Sequence, residues 1–345
     1  MQFGISALLG VWSINLAMDL GRYVVAAGLT ALILKLFWSG LKRRKIQTRS
    51  ATPADMRREI LTSLRTGVIF SLVGVGVFLG ARIGIFTVYD SFKFAGMGYL
   101  SVSTLAMIVA HDTYFYWTHR AMHHPRLFRH FHRTHHQSMA PTPFAAYAFD
   151  IPEALVMGAF TPLWLVFVPM HDVGLLSFMA FMIVRNVMGH AGVELMPRGL
   201  ADSRWFGWIN ATTHHDMHHE TFKYNYGLYF TWWDRIMGTE HPAYREVLRG
   251  KQSDLTRVAN SRPRANGAPA AKIASIAVIV LLVVAGKTVA AEPIGDVLGR
   301  WLTESRDGVI EIYRCGDAVC GKLILSMQSK HGDSLQIRLP RSASN

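Results

Sequence analysis

Cysteine is all but missing from these 345 residues: the only two are Cys315 and Cys320, close to the C-terminus. No thiolate is available to the rest of the chain, which excludes cysteine-ligated zinc and iron–sulfur centres there. There is no Cys-x-x-Cys-His run for haem attachment and no flavin fingerprint, so any reductant must come from a partner. Charge is also scarce: 17% of residues are charged and 50% are hydrophobic, a composition that suits a membrane protein better than a soluble one. Acids are the scarcer sign, with 23 Asp and Glu against 36 Lys and Arg. The excess of +13 does not point to nucleic acid, because the basic residues cluster beside apolar segments. The run Lys42, Arg43, Arg44 and Lys45 reads as a cytoplasmic membrane anchor.

The apolar segments set the expected fold. Residues 4–18 and 22–39 are interrupted by Asp19, Arg22 and Lys35, which suggests one span plus an interfacial helix, or a tight hairpin. Residues 66–89 and 94–110 are two further apolar stretches. Residues 151–169 and 173–189 read as a helical hairpin, with Pro162 and Pro169 as kink or turn points. Each stretch approaches the roughly 20 residues needed to cross a bilayer. If the basic residues of 42–64 hold that segment in the cytoplasm, 66–89 runs outward and 94–110 returns; hairpin 151–189 then goes out and back. The histidine blocks all reach the cytoplasmic face, and His171 falls at the opposite end as a structural residue. The expected fold is an all-α integral membrane protein: a multi-span bundle over 1–260 with a cytoplasmic, histidine-rich helical cap, in the inner or plasma membrane if bacterial.

Histidine is what the chain has in excess. Fourteen of its sixteen histidines lie between His111 and His219. Positions three and four apart share a helical face. His119 and His123 are four apart, while His132, His135 and His136 form an H-x-x-H-H set on one face that His215, His218 and His219 repeat in spacing. With His190 these make nine imidazoles, enough for two metal ions with four or five nitrogen ligands each, and imidazole suits iron, zinc, copper and nickel. His111, His214 and Glu194 are further candidates, Glu194 because it follows His190 by four. A single histidine such as His111, His130 or His171 more often belongs to a core or a surface. Asp112, Asp216 and Glu220 sit inside the histidine blocks and are better placed to orient ligating imidazoles than to bind metal. Tyr114, Tyr116 and Trp117 read as packing or interfacial belt. No catalytic side chain beyond the metal centre and no organic cofactor site is expected.

From about Asp112 to Thr239 the chain resembles the fatty acid hydroxylase / sterol desaturase superfamily of integral-membrane di-iron enzymes. The likeness rests on Asp112, Tyr116-Trp117-x-His119-Arg120-x-x-His123, His132-x-x-His135-His136 and His190-x-Gly192-x-Glu194. It continues through His215-Asp216-x-His218-His219, Asn225-Tyr226-Gly227 and Trp233-Asp234-Arg235-x-x-Gly238-Thr239. The resemblance implies two iron ions held by histidine, O2 as co-substrate, and hydroxylation or desaturation of a lipid: a sterol, fatty acyl chain, ether lipid or carotenoid. Electrons would come from a cytochrome b5-like or ferredoxin-like carrier. The competing readings are a histidine-rich membrane metal transporter or metal-binding protein, and a zinc hydrolase; the latter needs only three ligands and an open position.

The C-terminal part reads differently. In 261–292, Arg262, Arg264 and Lys272 precede an apolar core and a Val289-Ala290-Ala291 site, the layout of a secretory signal peptide. Left in place, it would be a short span carrying the tail to the other side of the membrane. The tail, 293–345, alternates like short strands around a Gly-Asp turn flanked by the two cysteines, which can pair outside the cytoplasm. It resembles a truncated DUF2147-type exported domain, which implies a fusion or frameshift and no part in the chemistry.

Overall fold

The computed structural model describes residues 4–197, 199–201, 203–249, 299–302, 308–315, 318–326 and 336–338. The chain divides into two compact units, Met1–Ala285 and Gly286–Asn345. The first is helical: α1 (Ile5–Leu36), α2 (Trp38–Leu41), α3 (Pro53–Arg82), α4 (Phe92–Met122), α5 (Pro125–Phe131), α6 (Arg133–His136), α7 (Ile151–Phe167), α8 (Asp172–Gly189), α9 (Thr212–Thr221), α10 (Trp232–Ile236) and α11 (Tyr244–Leu248). Two short strands, β1 (Val88–Tyr89) and β2 (Met170–His171), pair in parallel.

Helices α1, α3 and α8 are long and apolar enough to cross a membrane, and α7 is a shorter apolar helix. Helix α1 departs from both expected arrangements, being one unbroken helix of 32 residues. Asp19 and Arg22 stand three apart and form an ion pair, so the two charges that suggested an interruption satisfy each other inside the helix. Helix α3 starts at a capping box: Thr52 Oγ1 accepts from the Asp55 amide at 3.1 Å, Asp55 Oδ2 accepts from the Thr52 amide at 3.0 Å, and Pro53 opens the helix. It ends at Arg82 rather than at 89, because Gly84 takes φ 81° and the Ile85 amide turns back to the Gly80 carbonyl. The 94–110 stretch is the first half of α4, which is interrupted at Gly96 (φ 70°, ψ 173°) and is not among the three helices long and apolar enough to cross. Helix α7 continues through Pro162 to Phe167.

Chain direction places the site. The C-termini of α1, α4 and α8 and the N-termini of α3 and α7 lie at the histidine end, and β1–β2 ties the other. There His171 caps α8, its Nδ1 accepting from the Val173 amide at 3.1 Å, with Phe92 stacked on its ring. The basic run is at the histidine end: the Glu194 amide donates to the Arg44 carbonyl at 2.9 Å, and the Ile46 amide to that of Gly192 at 3.2 Å. Two aromatic cores fill the bundle, one around Phe160, Trp164 and Phe178, the other around Tyr23, Tyr147 and Phe149.

The second unit has an antiparallel sheet in the order β3 (Gly299–Leu302), β4 (Gly308–Cys315), β5 (Ala318–Ser326), β6 (Gln336–Arg338), with Cys315 and Cys320 joined by a disulfide. The signal-peptide-like segment 261–292 lies outside the described residues.

Gly158 of α7 packs so closely on α3 that a Cβ would stand 3.2 Å from Val73 Cγ2 and 3.3 Å from Phe70 Cδ1, whereas one on Gly76 would meet nothing within 4 Å. Gly158→Leu is expected to destabilise by about 1–3 kcal/mol through overpacking. Thermal unfolding in detergent should show a lower Tm for this variant and an unchanged one for Gly76→Leu.

Candidate metal centre

The nine imidazoles singled out by spacing come together at the histidine end in two groups. His119, His123, His132, His136 and His218 form one, and His135, His190, His215 and His219 the other, with the ligand atoms of each group within 4.8 Å of one another. The H-x-x-H-H sets do not present one face to one place. His132 and His136 enter the five-membered group and His135 the four-membered one, whereas His215 and His219 enter the four-membered group and His218 the five-membered one. At 100° per residue, positions i and i+4 differ by 40° around the helix, while i+3 and i+4 differ by 100°. A single turn therefore feeds two neighbouring sites, and each set crosses over. The groups adjoin, with His136 and His219 ring centroids 4.9 Å apart and those of His132 and His135 5.0 Å apart.

The nitrogens converge. Nε2 atoms of His123, His136 and His218 form a triangle with edges of 3.1, 3.1 and 3.0 Å. In the other group His215 Nε2 lies 3.0 Å from His190 Nε2 and 3.1 Å from His219 Nε2, and His190 Nε2 lies 3.4 Å from His135 Nε2. Metal–imidazole bonds are about 2.0–2.1 Å long, so two nitrogens at right angles about one ion stand about 3.0 Å apart. The observed edges match that spacing. The His119 and His132 Nε2 atoms are buried and have no hydrogen-bond partner among the described residues. The donor set and its spacing fit metal ions.

Backbone and carboxylate acceptors set the tautomers. His119 Nδ1 donates to the Tyr226 carbonyl at 2.8 Å, His218 Nδ1 to the Tyr224 carbonyl at 2.7 Å, and His190 Nδ1 to the Asn186 carbonyl at 2.7 Å. His132 Nδ1 stands 2.6 Å from Glu153 Oε1. Each contact leaves the Nε2 lone pair facing inward. Burial holds His132, His135, His136, His215, His218 and His219 well below the ordinary imidazole range, and neighbouring imidazoles push in the same direction. They are therefore neutral, as metal ligation requires.

The carbonyls of Tyr224 and Tyr226 are held by a knot around buried Asp234. Its carboxylate accepts from the amides of Tyr226 at 2.9 Å and Gly227 at 2.8 Å and from the Thr239 hydroxyl at 2.8 Å. Asn225, at φ 59°, donates through Nδ2 to the His214 carbonyl at 2.9 Å and accepts from the His241 amide at 2.7 Å. At Gly227 a Cβ would stand 2.5 Å from the Phe230 carbonyl oxygen, so the close approach requires glycine.

Six further candidates take other positions. His111 is outside both groups, its Nδ1 2.9 Å from the Tyr229 hydroxyl. His214 is outside them as well, its Nε2 3.3 Å from Asp234 Oδ2. Glu194 accepts from the amide and hydroxyl of Thr213 at 2.8 and 2.7 Å, which anchors the start of α9. Among the described residues, Asp112, Asp216 and Glu220 make no hydrogen bond to an imidazole of either group. Asp112 accepts from the Tyr229 amide at 2.7 Å, and Asp216 from Gln47 Nε2 at 2.7 Å, with burial pushing its carboxyl up to about 7. Glu220 is half-buried, and burial raises its carboxyl. Asp112 thus faces backbone and Asp216 a glutamine side chain, while Glu220 Oε2 is buried with no hydrogen-bond partner among the described residues. The carboxylate that does reach an imidazole, Glu153, was not singled out; the available signal was an acid near the start of an apolar helix, which is costly without a function.

A cavity of about 310 Å³ lies in the bundle below the groups. Phe115, Phe149 and Asn186 line it and also touch the site: Phe115 packs on His119 at 5.0 Å, Phe149 on His135 at 5.4 Å, and Asn186 is the acceptor of His190.

This is a helical membrane protein with a buried polyhistidine cap, and comparison with known proteins supplies the family. The fatty acid hydroxylase family model matches residues 104–239. Lathosterol oxidase of Homo sapiens is 32% identical over 213 residues, 58% of this chain and 69% of that protein. Lathosterol oxidase of Rattus norvegicus is 32% identical over 192 residues, 55% of this chain and 62% of that protein, so the chain spans less than two thirds of that relative. Delta(7)-sterol 5(6)-desaturase of Gibberella zeae is 29% identical over 194 residues, 56% and 58% of the two chains. No solved structure matches. The chain belongs to the fatty acid hydroxylase family.

His218→Ala removes a donor from the five-membered group and His135→Ala one from the four-membered group. Each is expected to lower the metal content of purified protein by about one ion per chain, and the pair together to abolish it while membrane insertion persists. Glu153→Ala should weaken metal retention against a chelator by about 10–100-fold, the effect typical of a lost orienting partner.

Proposed function

We propose that the chain is a membrane-bound di-iron oxygenase that hydroxylates or desaturates a lipid, of sterol, fatty acyl, ether-lipid or carotenoid type, using O2 and external electrons. The observation that carries this is the division of nine neutral imidazoles into adjoining groups of five and four, next to a largely apolar cavity whose lining Phe115 and Phe149 pack on His119 and His135. Iron in such a site supplies a redox-active centre that uses O2 to oxidise an unactivated C–H bond, which no side chain can do. Hydroxylation combines R–H, O2, two electrons and two protons into R–OH and water; desaturation gives an alkene and two waters. Relatives that are a lathosterol oxidase, a sterol desaturase and a methylsterol monooxygenase support oxidation of a lipid by either outcome.

The residues have distinct tasks. The nine histidines hold the metal ions through neutral nitrogen, and Glu153, Asn186, Tyr224 and Tyr226 fix which nitrogen points inward. Phe115 and Phe149 present an apolar boundary between cavity and histidines, which positions an alkyl carbon and limits water. The electron donor is a one-electron carrier of cytochrome b5-like or ferredoxin-like type, approaching from the cytoplasm. The basic run 42–45 supports that orientation, since Arg44 pairs with the segment that follows His190. A transport reading fits less well: ligands on a transport path belong near mid-membrane in broken helices, whereas these lie at helix ends and in the cap. The second unit has no part in the proposed reaction.

Metal analysis of protein made in iron-supplemented medium, followed by O2 uptake and lipid-product analysis with a chemical reductant, tests the proposal. About two irons per chain and reductant-dependent O2 uptake coupled to an oxidised lipid are expected. Metal-free protein, or iron without any O2-dependent lipid product, would sink it.

A further inference from the structure

The cavity lining is mostly apolar; His111, Tyr147, Thr161, Asp172 and Asn186 contribute scattered polar groups, and one polar rung comes from a single helix face. Asn15, Asp19 and Arg22 line it from α1, at spacings that put them on one face. All three precede the residues matched by the family model. Asp19 and Arg22 pair with each other, and Arg22 Nη1 points to Met179 Sδ at 3.1 Å, a weak acceptor. Arg22 Nε is buried and has no partner among the described residues. An ion pair facing a mostly apolar cavity, with one donor left over, is an expensive arrangement for packing alone. The cavity also reaches lipid, because its lining residues Met18 and Leu176 are 43% and 46% exposed on apolar helix surfaces.

We propose that Asp19 and Arg22 form the recognition site for the hydroxyl group of a neutral lipid alcohol whose hydrocarbon body fills the cavity toward the histidines. This rests on the oxygenase reading for its role in turnover, but not for binding itself. A hydroxyl both donates and accepts, so it satisfies Arg22 Nε–H and a carboxylate oxygen of Asp19 together. A fatty acid carboxylate only accepts and is opposed by Asp19, an ammonium head only donates and is opposed by Arg22, and an ether or hydrocarbon leaves Asp19 without a donor. The pair is neutral as a whole and selects a neutral head. Met179, beside Arg22, and Asn186, the acceptor of His190, lie on α8 seven residues apart, about 10 Å along the helix. The head group is thus held roughly that far below the histidine end, which makes Asp19 and Arg22 specificity-determining residues rather than catalytic ones.

Equilibrium binding to the full chain in detergent tests this, with tritiated hexadecan-1-ol and tritiated cholesterol as probes. Unlabelled alcohol should displace at least one probe about tenfold better than its methyl ether or hexadecanoic acid does, the effect of one unmatched buried hydrogen bond. In Asp19→Leu/Arg22→Met, which exchanges a buried ion pair for apolar side chains and so preserves folding, alcohol and methyl ether should compete equally. Saturable binding of neither alcohol, equal competition by the acid in the unaltered chain, or an alcohol preference that survives the double substitution would each overturn the proposal. Because the readout is binding, a failed metal or O2 experiment leaves this result standing, and the reverse also holds.

Discussion

The structure depends on the convergence of neutral imidazole nitrogens. Atoms such as His123, His136 and His218 Nε2 lie 3.0–3.1 Å apart, a spacing that suits nitrogens sharing one cation. Four of the rings, His119, His132, His190 and His218, are fixed from behind through Nδ1. That support accounts for the Tyr224 and Tyr226 carbonyls, for Glu153 at the mouth of α7, and for the Asp234 knot that makes those carbonyls immobile. Neither group includes a carboxylate. The carboxyl groups bonded into the supporting shell are those of buried Glu153, which burial pushes well above the usual carboxylate range, and of buried Asp234.

The bundle serves that cap in two ways. Helix direction delivers the ends of α4, α7 and α8 to one level, so residues remote in sequence, such as His119, Glu153 and His190, meet without long loops. Between the same helices the apolar packing leaves a cavity that ends at rings in contact with His119 and His135. Under the proposed function, this cavity is the path by which a lipid approaches the histidines. The Asp19–Arg22 pair belongs to this second function, since it lies in the cavity wall and not among the histidines.

Much of this could be read along the chain. The nine histidines of the two groups are those picked out by spacing, because ligand identity is a local property of a side chain and periodicity survives folding. The assignment of each H-x-x-H-H set to a single face was not accurate, because sharing a face to within 100° is too coarse to say which of two adjacent sites a ring enters. Glu153 was overlooked, and Asp112, Asp216 and Glu220 were favoured, because nearness in sequence stood in for nearness in space. Helix α1 was divided at Asp19 and Arg22, since an ion pair within a helix and two separate interruptions have the same composition.

By itself the sequence pointed to a helical membrane protein and picked out the nine histidines that the fold brings together. These follow from composition and from short periodic patterns, which are set by backbone geometry over a turn or two. Only the tertiary structure decided how nine rings divide into five and four, which backbone carbonyls choose their tautomers, and where an apolar cavity meets them. Those features depend on contacts between segments up to about a hundred residues apart, such as His119 with Tyr226. Their partners are chosen by packing, and no local pattern encodes them.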